Sequence, residues 1–443
     1  MGHRVVIVGG GFGGLYAAKV LASSSAEGAA DVTLIDQRNF HLFQPLLYQV
    51  ATGGLSAVDI AYPLRQILRE AKNIHTLMGK VEHIDMARRI VVTAEHEVPY
   101  DSLIVAAGSR HHYFGKPDWE RFAPGLKTLE DAQDMRRRIL SAFEAGEQEQ
   151  DADRRRALLT FVIVGGGPTG VELAGALGEI ANDTLQGEFR SIRPEEAHIF
   201  LVEAGPRILN TYPADLSESA ANSLTAVGVL PLTGAKVVSI DATGVELEVA
   251  GSHRRIETHT ILWAAGVQAS QLAHGLAEQS GAALDRAGRV TVNPDLSLPG
   301  YPEVLIAGDM AGATSAGAPA LPAVAPVAMQ QGAYAAKLIQ ARLAGRGVKP
   351  FVYRDRGSMA TIGRASAVAQ IGPVSMSGLA AWVTWLFVHL MYLVSFQNRL
   401  LVFIQWAFQY VTFNRRARLI TGDSVTAELS RPSSEDEEPA LTR

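Results

Sequence analysis

A short apolar run, a glycine loop and a helix occur twice in this chain, and that duplication restricts the fold more than any other feature. In the first copy, Val5 to Val8 form an apolar run of the kind buried in a parallel sheet. Gly9-Gly10-Gly11-Phe12-Gly13-Gly14 follows, with Gly9, Gly11 and Gly14 at G-x-G-x-x-G spacing, and Leu15 to Leu21 read as a helix. In such a loop the first glycine permits the turn and the second lets a pyrophosphate reach the backbone. The third lets helix and strand pack closely, so the helix's unpaired amides face phosphate oxygens. A strand from Asp31 to Ile35 ends in Asp36, 22 positions past Gly14, where an acid hydrogen-bonds a ribose. The second copy places Gly165, Gly167 and Gly170 between a strand, Phe161–Val164, and another helix. Its next strand, His198–Val202, ends in Glu203, 33 positions past Gly170, the extra length being an insertion over roughly Asp183 to Glu196. Two complete units predict two bound dinucleotides.

The intervening segments read as α/β. Strands are expected at Val81–Ile84, Ile90–Thr93, Leu103–Ala106, Val237–Ile240, Val245–Val249 and Thr260–Leu262. Ala106-Ala107-Gly108-Ser109 and Ala264-Ala265-Gly266-Val267 close a strand on small residues in each unit. Residues 40 to 54 combine Phe40, Phe43, Tyr48 and Gly53-Gly54 in a loop too apolar for open solvent, which reads as a cover over an aromatic cofactor. Residues 128 to 157, dense in charge, read as a surface helix and connector. A strand within residues 303 to 312 ends in Gly308-Asp309, and a helix begins near Ala325, for which Asp309 is a candidate cap.

Composition removes several classes of chemistry. The chain has 443 residues, length for two or three domains, and its net charge of −5 gives no support to nucleic-acid binding. No cysteine is present, which excludes disulfide redox chemistry, cysteine nucleophiles and thiolate metal sites. The twelve histidines, the adjacent His111-His112 included, show no ligand spacing, so no metal site is expected. The first strand begins by Arg4, which leaves no room for a signal peptide's apolar core. From Gly357 to Ile420 the composition changes: these 64 residues hold five Arg, no Lys, no Asp and no Glu, with three of the five Trp. Leu379–Phe396 and Leu400–Phe413 are almost continuously apolar, and the last twenty residues are polar, acidic and expected to be disordered.

With both glycine units, Asp36 and Gly308-Asp309 in view, the chain resembles the two-dinucleotide-binding flavoprotein oxidoreductases. Within them, residues 4 to 422 are similar to the type II NADH:quinone oxidoreductases, through HLFQPLLYQVATG, LPAVAPVAMQQGAY and the run MATIGRASAV…AWVTWLFVHL…FQNRLLVF…RRARLITGD. One departure is Pro326, where many members carry glutamine. The resemblance implies two Rossmann-like domains, one for FAD and one for NADH, plus a C-terminal helical membrane-binding segment. It implies domains at 1–115 and 291–345 for FAD, 116–290 for NADH, 346–422 for the membrane, and a tail at 423–443. FAD contacts fall on Gly9, Gly11, Gly14, Asp36, Gly308 and Asp309, and NADH contacts on Gly165, Gly167, Gly170 and Glu203. Glu172 is placed near the nicotinamide and flavin rings, and Gln330 on the quinone side. Each has a plainer reading, Glu172 as an acid complementing the helix dipole and Gln330 as a helix cap or packing residue.

The activity implied is electron transfer from NADH through FAD to a membrane quinone without proton pumping, at the cytoplasmic face of the inner membrane. A homodimer through the apolar helices is an open alternative to their membrane role. NADH is expected over NADPH because Glu203 repels a 2′-phosphate, although Arg207 lies four residues on. Disulfide reductases and sulfide:quinone oxidoreductases need redox cysteines. A soluble reductase of ferredoxin or rubredoxin needs none, and the apolar C-terminal segment argues against it. A non-catalytic NADH-sensing adaptor leaves the flavin unit unexplained. Leu379–Phe396 is at the lower edge of spanning length and Leu400–Phe413 below it, so both are expected to lie on the bilayer. Asn398, Gln405, Gln409, Thr412 and Arg416 form one polar stripe, and Arg399, Arg415, Arg416 and Arg418 are expected to meet anionic lipid. His389, alone among apolar residues, reads as a satisfied core or interface histidine rather than a redox group.

Overall fold

The computed structural model describes residues 2–22, 30–313, 320–394, 396–412, 415 and 417–421. Arg416 and the expected acidic tail at 423–443 lie outside the described residues. The chain divides into two compact units: Met1–Phe43, Ala61–His112 and Val267–Arg356 form one, and Gln44–Ile60, Tyr113–Gly266 and residues from Gly357 onward form the other.

The first unit is built on strand β1 (Arg4–Val8), helix α1 (Phe12–Ala22) and strand β2 (Asp31–Asp36). Its six-stranded sheet runs in the order Ser297–Leu298, Tyr301–Ile306, Ser102–Val105, β1, β2, Ile74–Met78. β1 is central and parallel to both neighbours, pairing Val5 with Val32 and with Ser102. Buried on both faces, it needs the continuous apolar run that Val5 to Val8 supply. The helix Ala325–Leu343 lies against α1 so closely that a Cβ on Gly332 would fall 1.9 Å from the Gly13 carbonyl oxygen. Pro326 sits in that helix's first turn, where its missing N–H removes no intrahelical bond. Val267–Ala269 pairs antiparallel with Ser109–His111, and Ala273 and Leu276 of the next helix join this unit's core. Non-local strand pairing therefore carries residues 267–290, expected in the second domain, into the first unit.

The second unit repeats the plan. Strands β3 (Thr160–Val164) and β4 (His198–Glu203), joined through helix α3 (Pro168–Glu179), are the central pair of a parallel sheet ordered Val229–Thr233, β4, β3, Thr260–Trp263, and helix α2 (Leu47–Ala51) belongs to the same unit. The insertion after α3 is pinned by Glu147, whose carboxylate accepts from the amides of Arg190, Ser191 and Ile192. The C-terminal segment adds strand β5 (Ser358–Gly363), paired antiparallel to Ser366–Ile371, which pairs in turn with Val374–Ser377. Helices α4 (Gly378–Tyr392) and α5 (Phe396–Thr412) follow. The apolar stretch expected from Leu379 to Phe396 is thus broken after Tyr392, giving helices of 15 and 17 residues. At helical rise these span about 22 and 26 Å against a hydrocarbon core of about 30 Å. Among the described residues, no helix is long and apolar enough to cross a membrane.

Residues 40 to 54 do not form a loop. Phe40–Leu42 pairs with Ala61–Pro63, and the chain then turns into α2, where Leu47, Tyr48, Gln49, Val50 and Ala51 are all buried. Pro45 before the helix and Gly53 at φ +68° after it are ordinary start and stop signals, present in the sequence and outweighed there by its aromatic content.

Candidate functional site

The two glycine loops have nearly the same geometry. A Cβ on Gly14 would lie 1.8 Å from the Gly9 carbonyl oxygen, and a Cβ on Gly170 lies equally close to the Gly165 carbonyl oxygen. Only glycine lets each helix begin so near its strand. Around Gly11 and Gly167, by contrast, nothing lies within 4 Å of a Cβ, so open space stands over both loops where a pyrophosphate belongs. Asp36 receives the Gly10 amide at 2.6 Å and the Arg38 amide at 2.7 Å, one on each carboxylate oxygen. Burial raises its carboxyl above the usual range while those two amides pull it back. Glu203 takes the Gly166 amide at 2.7 Å and the Gly205 amide at 2.6 Å in the same manner. Both acids are oriented by backbone with lone pairs to spare for a ribose hydroxyl. Arg207 donates to the Asn210 and Tyr212 carbonyls at 3.1 Å each, which ties down its guanidinium.

The Gly308-Asp309 turn lies in the first unit. Asp309 accepts from the Ser109 hydroxyl at 2.6 Å; the helix at Ala325 is preceded by Val324 with no side-chain cap, so Asp309 is not its cap. The Gly308 amide donates at 2.7 Å to Oε1 of Gln331, which is fully buried and whose Nε2 has no partner. An orphaned donor beside this turn, and the open space over Gly11, fit a bound FAD. His41 adds a feature the sequence reading missed. Its Nδ1 bonds the Gly10 carbonyl at 2.9 Å, fixing that nitrogen as the donor, and burial lowers the imidazole to about 4. Gln330, expected on the quinone side, has both amide atoms engaged: Nε2 donates to the Arg354 carbonyl at 2.9 Å and Oε1 accepts the Arg354 amide at 3.0 Å.

A cavity of about 780 Å³, including its open mouth, lies within the second unit. Glu172 of α3 lines it, with Tyr48 and Gln49 of α2, Thr361 of β5, Trp385 of α4, Trp406 of α5 and Arg415. Burial pushes the Glu172 carboxyl up to about 8. The Trp406 indole donates to Gln49 Oε1 at 2.8 Å, and Gln49 Nε2 donates to the Tyr48 hydroxyl at 2.9 Å. That chain leaves the Tyr48 proton to be donated, and burial holds the phenol well above its usual range. His389, half-buried, bonds the Trp385 carbonyl through Nδ1 at 2.7 Å and stacks its ring on Trp385.

α5 is built inside out. Three residues of its polar stripe face protein, while Thr412 is exposed: Asn398 donates to the Asp59 carbonyl at 3.1 Å, Gln405 reaches the Asp59 carboxylate at 3.4 Å, and Gln409 donates to the Gly54 carbonyl. Its apolar side is bare, with Phe403 49%, Ile404 54% and Val411 76% exposed. Of the arginines expected to meet lipid, Arg416 lies outside the described residues and the other three are engaged by protein. Arg415 pairs with Glu179, Arg418 with Glu188 at 2.7 Å, and Arg399 donates to the Leu393 carbonyl at 2.8 Å. The acids that neutralise Arg415 and Arg418 lie more than two hundred residues earlier, so the local sequence hides them. Among the described residues no group of His, Asp and Glu could hold a metal ion.

A family model for pyridine nucleotide-disulphide oxidoreductases matches residues 3–332, and one for the NDH2 C-terminal domain matches residues 356–416. The type II NADH:quinone oxidoreductase Ndh of Mycobacterium tuberculosis is 47% identical over 96% of this chain and 92% of its own length. The NdhA enzyme of the same name and organism is 45% identical over 96% and 91%. The solved structure of NDH2 from Plasmodium falciparum in complex with NADH superposes with a TM-score of 0.84 at 18% identity, covering 95% of this chain and all of that one, and so shares the fold.

Proposed function

The chain belongs to the type II NADH:quinone oxidoreductase family, and from that premise we propose that it carries electrons from NADH through FAD to a membrane quinone without pumping protons. The flavin, when bound, would supply the two-electron chemistry that links NADH to the quinone. The rest is done by residues that bind, orient and protonate. The unit around β1 holds FAD through Gly9, Gly11, Gly14, Asp36, Gly308 and Asp309. The unit around β3 holds NADH through Gly165, Gly167, Gly170 and Glu203. With Arg207 held on two carbonyls and Glu203 facing the ribose position, NADH is preferred over NADPH.

The quinone headgroup is assigned to the cavity that Glu172 lines, and the observation that carries this is the company Glu172 keeps. A carboxyl raised to about 8 is protonated at neutral pH and can give a proton to a reduced quinone oxygen. The Tyr48 hydroxyl, oriented by Gln49 and Trp406, can donate a hydrogen bond to a quinone oxygen. Trp382, Trp385 and Trp406 offer flat apolar walls to a quinone ring. Gln330 is assigned instead as the clamp that holds Arg354.

The enzyme sits peripherally on the cytoplasmic face of the inner membrane, where NADH is available, with the bare faces of α4 and α5 in the lipid that holds the quinone. The test is NADH oxidation by the purified, yellow protein with quinones of increasing tail length, with and without phospholipid vesicles. A lipid-stimulated rate with long-tailed quinones is expected. NADH oxidation that proceeds only with a small electron-carrier protein would overturn the proposal in favour of a soluble reductase.

A further inference from the structure

Each glycine loop is held at its second residue from two sides, and in the first unit one of the two holds is a buried histidine. The Gly10 amide goes to Asp36 at 2.6 Å, and the Gly10 carbonyl takes the Nδ1–H of His41 at 2.9 Å. In the second unit the Gly166 amide goes to Glu203 at 2.7 Å, and the Gly166 carbonyl takes the backbone amide of Leu209 at 2.7 Å. The donors follow their acids closely, His41 five residues past Asp36 and Leu209 six past Glu203. The device is the same in both units, but the first builds it from a side chain and the second from backbone. His41 stands on the strand Phe40–Leu42, opposite Tyr62, with its ring perpendicular to Phe12 and the centroids 5.1 Å apart. It is 2% exposed and its Nε2 has no partner, so among the described residues the bond to Gly10 is the one use made of its polarity.

The Gly10 carbonyl matters because of the amide at the other end of its peptide bond. A trans peptide is planar, so fixing the carbonyl of Gly10 points the N–H of Gly11 the opposite way. A peptide flanked by glycines turns more freely than any other, and without a hold its plane is not set. Among the described residues the Gly11 amide donates to nothing, and nothing stands within 4 Å of a Cβ on Gly11. We propose that His41 is a positioning residue for FAD: by donating to the Gly10 carbonyl it turns the Gly11 amide toward the place of the flavin's pyrophosphate. The proposal rests on the reading that FAD occupies the loop of the first unit. In the second unit the Leu209 amide does the equivalent for Gly167, and no side-chain change at 209 short of proline removes it.

The experiment uses the full-length, flavin-loaded enzyme, diluted stepwise while released FAD is read from its fluorescence. His41→Asn and His41→Leu have nearly the same shape. The asparagine amide can sit where Nδ1 sits and donate, whereas leucine cannot. His41→Leu should hold FAD about tenfold or more weakly, because the Gly10 carbonyl loses its donor and the Gly11 amide its direction. His41→Asn should recover most of that loss. At saturating FAD, affinity for the oxidised nicotinamide cofactor, measured by calorimetry, should be unchanged in both, since the second loop is held by Leu209. A folded His41→Leu that holds FAD as the wild type does overturns the proposal. So does a His41→Asn as weak as His41→Leu, which would leave His41 a packing residue beside Phe12. If His41→Leu does not fold, His41→Ala makes the same comparison against His41→Asn. Gly11→Val tests the reading beneath: undiminished FAD binding there would show that FAD lies elsewhere, and the role of His41 would fall with it.

Discussion

Glu172 shows how much of a residue's chemistry comes from its surroundings. In sequence it is one acid in a helix's first turns; in the fold it is buried, with its carboxyl raised to about 8 from 4.5. Between those values the folded chain binds a proton that the unfolded chain has lost. Stability on this account is full below about pH 4.5 and declines as pH rises toward about 8. Glu172→Gln does not titrate, so its melting temperature relative to wild type should climb by several degrees across that window. A constant difference from pH 5 to 8 would show that the carboxyl is not buried as described. The same lesson applies at Gln330 and Gln331, identical neighbours in the sequence. One clamps the Arg354 backbone, and the other is buried beneath the Gly308 amide.

At the scale of elements, α5 reverses the usual order of a surface helix. Its polar stripe was legible from the spacing of Asn398, Gln405, Gln409 and Thr412; the direction it faces was not. Periodicity gives the angle between polar and apolar faces and says nothing of which one meets protein. Here Asp59, Gly54 and Gln49 offer polar partners to the stripe and to Trp406, which leaves the apolar side outward. Phe403→Ser with Phe408→Ser should therefore weaken binding to phospholipid vesicles about tenfold or more, since each buried ring contributes about 1.5–3 kcal/mol. Flavin content should be unchanged, and undiminished sedimentation with vesicles would count against the membrane face. Reversing the charge of Arg415 is the wrong probe, because it sets a second acid against Glu179 in a pair whose arginine is 11% exposed.

At the scale of the whole molecule, the two glycine loops make a prediction that separates their roles. Valine at 11 or 167 meets no atom of the protein within 4 Å of its Cβ, so neither variant should disturb the fold. Gly11→Val should purify colourless. Gly167→Val should purify yellow, with flavin reduction by NADH slowed at least about a hundredfold by the obstructed pyrophosphate site. The reverse pattern would exchange the cofactors between the units. Such modularity was readable because each strand, loop, helix and acid lies within about forty residues of chain and follows local rules of turn, burial and close packing. By itself, then, the sequence determined two dinucleotide units, the acids that close them and an apolar C-terminal pair of helices. Only the tertiary structure decided that α2 brings Tyr48 and Gln49 to Glu172, that α5 turns its polar side inward, and that Arg415 is neutralised. Arg415 and Glu179 are 236 positions apart, and a charge or a face acquires its meaning from a partner that no local pattern specifies.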